Sequence, residues 1–112
     1  MIKKCLVKIF IKWLTNGSDE VNIEVKFDYD CVQSPDGVIA FGVYIPEEKQ
    51  IYVAGATPLD WIYQNVAHEY CHYLQDINGK SFDEDEANSY AEKKVEEFKG
   101  KLIEAFTVWC RK

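Results

Sequence analysis

The chain predicts an α+β domain: a small mixed or antiparallel sheet of about three strands packed on two long helices, with a third helix at the N-terminus. Three observations predict it. Apolar residues recur at helical spacing in the opening segment and again through most of the second half. Between these lie short runs of β-branched and aromatic residues, one of them strictly alternating. Clusters of Gly, Asn, Asp, Ser and Pro separate the runs. With 112 residues, a single core over residues 1–112 is expected, because two halves would each bury too little surface.

In "KKCLVKIFIKWL", Lys4, Lys8 and Lys12 recur every four residues and leave a wide apolar face, which predicts an amphipathic helix. "TNGSDE" reads as a turn. "VNIEVKF" sets Val21, Ile23, Val25 and Phe27 against Asn22, Glu24 and Lys26, the period of a half-buried strand. After the "SPDG" turn, "VIAFGVYI" and "QIYVAG" read as two strands of a hairpin joined by "PEEK". "TPLD" announces a helix with Thr57 as N-cap and Pro58 at its first position, running to about Ile77 and ending at Asn78 or Gly79. A last helix starts near "SFDEDEA" and reaches Gly100 or beyond, and the apolar tail "LIEAFTVWCRK" is expected to pack.

A net charge of -6 argues against a nucleic-acid or anionic-membrane surface, since there is no basic excess to release counterions. No apolar run is long enough to span a bilayer, and Lys8 and Lys12 interrupt the one segment that resembles a signal sequence. Cys5, Cys31, Cys71 and Cys110 show no paired spacing, so reduced thiols and a cytoplasmic location are expected, with Cys71 a small buried filler.

The chemistry concentrates in "HEYCH". It holds the only two histidines, His68 and His72, four residues apart with Glu69 between them. On a helix they lie about 40° apart in azimuth and about 6 Å along the axis, so both imidazoles reach one metal ion. Leu59, Ile62, Tyr63, Val66, Tyr70, Tyr73, Leu74 and Ile77 form the apolar back of the same helix. Zinc takes three protein ligands in a catalytic site and leaves the fourth position for water, from which Glu69 can take a proton. Trp61 falls on the same side and could wall a cleft.

No third histidine exists, so the remaining ligand must be a carboxylate or a cysteine. "SFDEDEANSYAEKK" offers several acids. Glu84 shares a helical face with Ala87, Asn88, Ala91, Val95 and Phe98, whereas Glu86 points elsewhere, which favours Glu84 with Glu86 as its rival. Ala87 and Ala91 would allow close approach of the two helices, and Asn88 could accept a hydrogen bond from the outer nitrogen of a ligating histidine.

"HEYCH" followed closely by the E-x-x-A-N of "EDEAN" resembles the gluzincin metallopeptidases, and the chain length and element order are similar to the minigluzincins, single-domain versions of that catalytic core. The resemblance implies one Zn2+ held by His68, His72 and Glu84, Glu69 as the catalytic base, and Asn88 behind the ligands. It also implies that "AFGVY", Ala40, Phe41, Gly42, Val43 and Tyr44, is a rim strand along which a peptide or protein substrate lies. Cleft-blocking terminal segments in that family imply a latent form, with the C-terminal segment and Cys110 as candidates. Larger gluzincins carry a further histidine or tyrosine that stabilises the oxyanion, and no motif here marks an equivalent.

The expected activity is therefore zinc-dependent endopeptidase chemistry. Two alternatives accompany it: a zinc-stabilised pseudoenzyme that binds a protein partner without cleaving it, and a metal-free binding module whose acids and histidines are solvated surface.

Overall fold

The computed structural model describes the backbone of residues 2–110 and the side chains of residues 2–107. Helix α1 (Ile2–Thr15) keeps Lys4, Lys8 and Lys12 outward and buries Val7 and Phe10. The Phe10 ring lies 4.7 Å from Tyr63 and 4.9 Å from Phe98, centroid to centroid, so α1 seals one end of the core. Gly17 ends the helix at a φ of 76°, its N–H bonding to the carbonyl of Lys12 at 2.9 Å.

Strands β1 (Asn22–Lys26), β4 (Gly42–Ile45) and β5 (Gln50–Ala54) form a mixed sheet in the order β1-β5-β4. β1 runs parallel to β5, and β4 pairs antiparallel with it through the short 3-10 turn Pro46–Glu48. Central β5 buries Ile51 and Val53 completely on the inner face, where each contributes about 1.5–3 kcal/mol of burial. Ile23, Val25 and Tyr44 share that face by register, while Glu24, Lys26 and Tyr52 take the outer one.

The expected single strand "VIAFGVYI" is broken at Phe41. Gly42–Ile45 stays with β5, but β3 (Ile39–Ala40) turns away and pairs with β2 (Val32–Gln33), a strand that the sequence did not announce. The cause is the length of β5. Ala54 donates to the carbonyl of Phe41 at 2.8 Å, and past Ala54 the chain leaves for α2, so residues before Phe41 must find another partner.

Helix α2 (Leu59–Ile77) crosses the inner face of the sheet. Thr57 is not its N-cap: the cap residue is Pro58, and the Thr57 hydroxyl bonds back to the carbonyl of Ala54 at 3.1 Å, tying the helix start to β5. Asn78 is the C-cap, and Gly79 rather than Asn78 takes the left-handed conformation, at a φ of 70°, with Gly79 N–H on the Asp76 carbonyl and Lys80 N–H on that of Gln75. Of its predicted apolar back, Ile62, Tyr63, Val66, Tyr70 and Tyr73 are buried, Leu59 and Leu74 are partly buried, and Ile77 is exposed.

Helix α3 (Glu84–Cys110) returns antiparallel along α2, with Ala87 and Ala91 fully buried between the two and Lys99 paired to Asp60 at 2.9 Å. Of the tail expected to pack, the side chains from 108 onward lie outside the described residues. Asp60 belongs to the first turn of α2, and past the Lys99–Asp60 pair Leu102 leans on the core while Ile103 and Phe106 are exposed. The 27 residues of α3 place its two ends about 39 Å apart at 1.5 Å per residue, with Glu84 at one end and the backbone of Cys110 at the other. The side chain of Cys110 lies outside the described residues. None of the described helices is long and apolar enough to cross a membrane.

Candidate metal centre

The cleft lies between the edge strand β4 and the helices α2 and α3, with a volume of about 470 Å³. His68 and His72 stand one turn apart on the front of α2, their ring centroids 4.8 Å apart. Glu84, the first residue of α3, lays its carboxylate across both: Oε2 lies 3.0 Å from His68 Nε2 and Oε1 lies 2.8 Å from His72 Nε2. The three donor groups lie within 4.8 Å of one another, and no other such cluster of three occurs among the described residues. Two imidazole nitrogens and one carboxylate oxygen at this separation could together hold a metal ion.

The ligands approach from different depths. The histidine side chains are 16% and 6% exposed, whereas that of Glu84 is 69% exposed, so the acid closes the cluster from the open side. Its position follows from an N-cap: Asp83 accepts the Glu86 N–H on its carboxylate at 3.1 Å and the Ala87 N–H on its carbonyl, so the first turn of α3 starts at Glu84. Glu86 is not in the cluster. It reaches 2.7 Å to the Gln75 amide instead.

Glu69 sits beside the cluster, with Oε2 3.9 Å from His68 Nε2, and is nearly buried. Burial pushes its carboxyl up to about 7, with the Glu84 charge adding to the rise and His72 and the Tyr44 backbone N–H opposing it. Room for it comes from Gly42: a Cβ there would stand 3.1 Å from Glu69 Cγ and 3.4 Å from its Oε2. The glycine in "AFGVY" is thus a packing requirement of the acid opposite.

The predicted rim, Ala40 to Tyr44, does line the cleft, although Ala40 belongs to β3 and only Gly42–Tyr44 to β4. Because Phe41 accepts from Ala54, alternation turns the backbone groups of Gly42 and Tyr44 outward along the unpaired edge of β4. Phe41 is half exposed and meets Trp61 edge to face at 5.3 Å; Trp61 backs this ring rather than lining the cleft itself. Phe82, also half exposed, lies 4.9 Å from the His72 ring. The Tyr44 hydroxyl donates to Asp76 at 2.6 Å, and burial together with that carboxylate holds it well above the ordinary phenol range.

Asn88 lines the cleft but is exposed, and the hydrogen bond expected of it goes to another residue. Gln75, one turn beyond His72 on α2, meets His72 Nδ1 at 2.8 Å. Glutamine at i+3 from a ligand belongs to no motif, so the sequence offered no signal for it. Cys71 is buried away from the cluster, and burial, with Glu86 and Asp83 nearby, pushes its thiol up to about 11, as suits an inert filler. Cys5, Cys31 and Cys71 are free thiols.

No family model, curated protein or solved structure matches the chain. Its chemistry is therefore argued from the His68, His72 and Glu84 cluster and from what surrounds it.

Proposed function

We propose that the chain is a zinc-dependent peptide hydrolase of minimal gluzincin type, cleaving extended peptide or protein segments. The observation that carries the reading is a buried carboxyl group, Glu69, directly beside a His-His-Glu donor set and facing an open strand edge. Bound by His68, His72 and Glu84, zinc would supply a Lewis acid to the scissile carbonyl. Glu69 takes a proton from the attacking water as its oxygen adds to the carbonyl carbon. It then returns that proton to the amine nitrogen as the C–N bond breaks. The outward N–H and C=O of Gly42 would hold the substrate backbone by β-augmentation.

A second reading, a zinc-stabilised protein that binds a partner without cleaving it, is favoured by one observation. Among the described residues the only tyrosine lining the cleft, Tyr44, has its hydroxyl engaged by Asp76, so no described phenol is left for the oxyanion, and the chain has no third histidine. Exposed thiols at Cys5 and Cys31 fit a reducing, cytoplasmic setting. The acidic charge supports neither nucleic acid nor an anionic membrane as partner.

The test is cleavage of an unstructured peptide library by the full chain with stoichiometric zinc, read by mass spectrometry. Cleavage that a chelator abolishes and added zinc restores is expected. An inert protein holding one tightly bound zinc would favour the second reading.

A further inference from the structure

Gln75 is 2% exposed, and its amide makes four short contacts that leave no freedom of orientation. Oε1 accepts the Asp83 backbone N–H at 3.2 Å, while Nε2 donates to the Asp83 carbonyl at 3.1 Å and to Glu86 Oε1 at 2.7 Å. Turned the other way, the amide would set N–H against N–H and oxygen against both a carbonyl and a carboxylate. Oxygen therefore faces His72 Nδ1, 2.8 Å away, and that nitrogen must carry the proton. A neutral imidazole has one N–H, so the Nε2 lone pair points at Glu84 Oε1, 2.8 Å off. A lone pair facing a carboxylate oxygen at that distance is unfavourable unless a proton or a metal ion stands between them.

We propose that Gln75 is the positioning residue of the centre, using Asp83 and Glu86 to hold His72 as the Nδ1–H tautomer while setting the start of the helix that carries Glu84. The inference rests on His72 and Glu84 being metal ligands. The same amide grips both backbone groups of Asp83, the N-cap of α3, and so couples the two ligand-bearing helices. In an ordinary capping box the acid three residues after the cap reaches back to the cap N–H. Here Glu86 holds Gln75, and Gln75 takes the cap N–H in its place. Glu84 and Glu86 thus divide the work: one faces the metal position, the other orients its histidine. His68 has no such partner on Nδ1 among the described residues.

The experiment compares the full chain with Gln75→Leu, Gln75→Glu, and Gln75→Glu combined with Glu86→Gln. It reads the imidazole nitrogen shifts of His72 in metal-free protein at a pH of about 9, above the ordinary histidine range. It also reads the zinc dissociation constant by chelator competition. Wild type should show His72 as the Nδ1–H tautomer. Gln75→Leu should mix the tautomers and weaken zinc binding by about 10–100-fold. Gln75→Glu alone sets two carboxylates against each other and should weaken binding as well. The double variant keeps the acceptor for His72 and supplies a donor between positions 75 and 86, but leaves the Asp83 carbonyl without its donor, so it should recover zinc affinity in part and show the Nδ1–H tautomer. Because recovery is measured against a folded single variant, a Gln75→Leu protein that fails to fold leaves the comparison intact. Wild-type tautomer and affinity in Gln75→Leu, or no recovery in the double variant, would overturn the proposal. A wild type that keeps the Nδ1–H tautomer yet takes up no zinc would instead support the positioning role and sink the metal reading.

Discussion

The helical wall of the cleft holds its chemistry in buried, mutually bonded side chains, whereas the strand wall opposite presents backbone groups and exposed rings. On the helical side His72, Gln75 and Glu69 are all nearly buried, and each has a named partner. On the strand side Val38 and Phe41 are 59% and 46% exposed, and the outward edge of β4 has no strand beside it. The difference fits the proposed division of roles. A metal and a proton carrier need fixed geometry, and a surface that receives varied peptides needs unpaired groups. Gly42 is where the walls touch, since its missing side chain is the space occupied by Glu69.

Each wall can be broken separately. The largest effect should come from Glu69→Gln, which keeps the shape of the helical wall but removes its proton carrier. Peptide cleavage should fall by about 10²–10⁴-fold while zinc content stays at one equivalent, measured by turnover and metal analysis on the same sample.

The burial of Glu69 also makes metal-free protein sensitive to pH. Its carboxyl rises from 4.5 to about 7 on folding, so the folded state binds the proton more tightly. That stabilisation is complete below 4.5 and lost as pH rises through 7, a loss on the order of 3 kcal/mol. Thermal melts of the metal-free chain should therefore fall in midpoint between pH 4.5 and 7, and Glu69→Gln should flatten the decline. A slope unchanged in the variant would mean that Glu69 is ionised throughout.

At the contact between the walls, Gly42→Ala should cost about 1–3 kcal/mol through crowding and lower kcat about tenfold by displacing Glu69, with zinc affinity unchanged. Chemical denaturation and steady-state kinetics would separate the two parts. On the strand wall alone, Phe41→Ala removes one partner of the Trp61 pair, worth about 0.5–1.5 kcal/mol. It should raise KM about three- to tenfold and leave kcat unaltered; a fall in kcat with constant KM would move Phe41 from peptide contact to chemistry.

The same contrast explains what could be read from the sequence. His68, His72, Glu69 and Glu84 were legible because helical periodicity is local: spacing alone puts two histidines on one face and separates Glu84 from Glu86. The break at Phe41 was not, because "VIAFGVYI" is equally β-prone throughout, and its division depends on where β5 ends. β2, two residues long, has no period to detect. What the tail packs against is not legible either, because apolar composition does not say that α3 runs on past the Asp60 end of α2. Gln75 is invisible in the sequence, because which polar side chain meets a histidine is decided by how two helices and their loop come together.

That His68, His72 and Glu84 hold one zinc ion is the central claim. It is tested most directly by measuring metal in the chain purified without chelator, beside His72→Ala, Glu84→Ala and Glu86→Ala. One zinc per wild-type chain is expected, with none in the first two variants and a weakened but present zinc in Glu86→Ala. Absence of zinc from the wild type after incubation with the metal, or equal zinc in all four proteins, would contradict it.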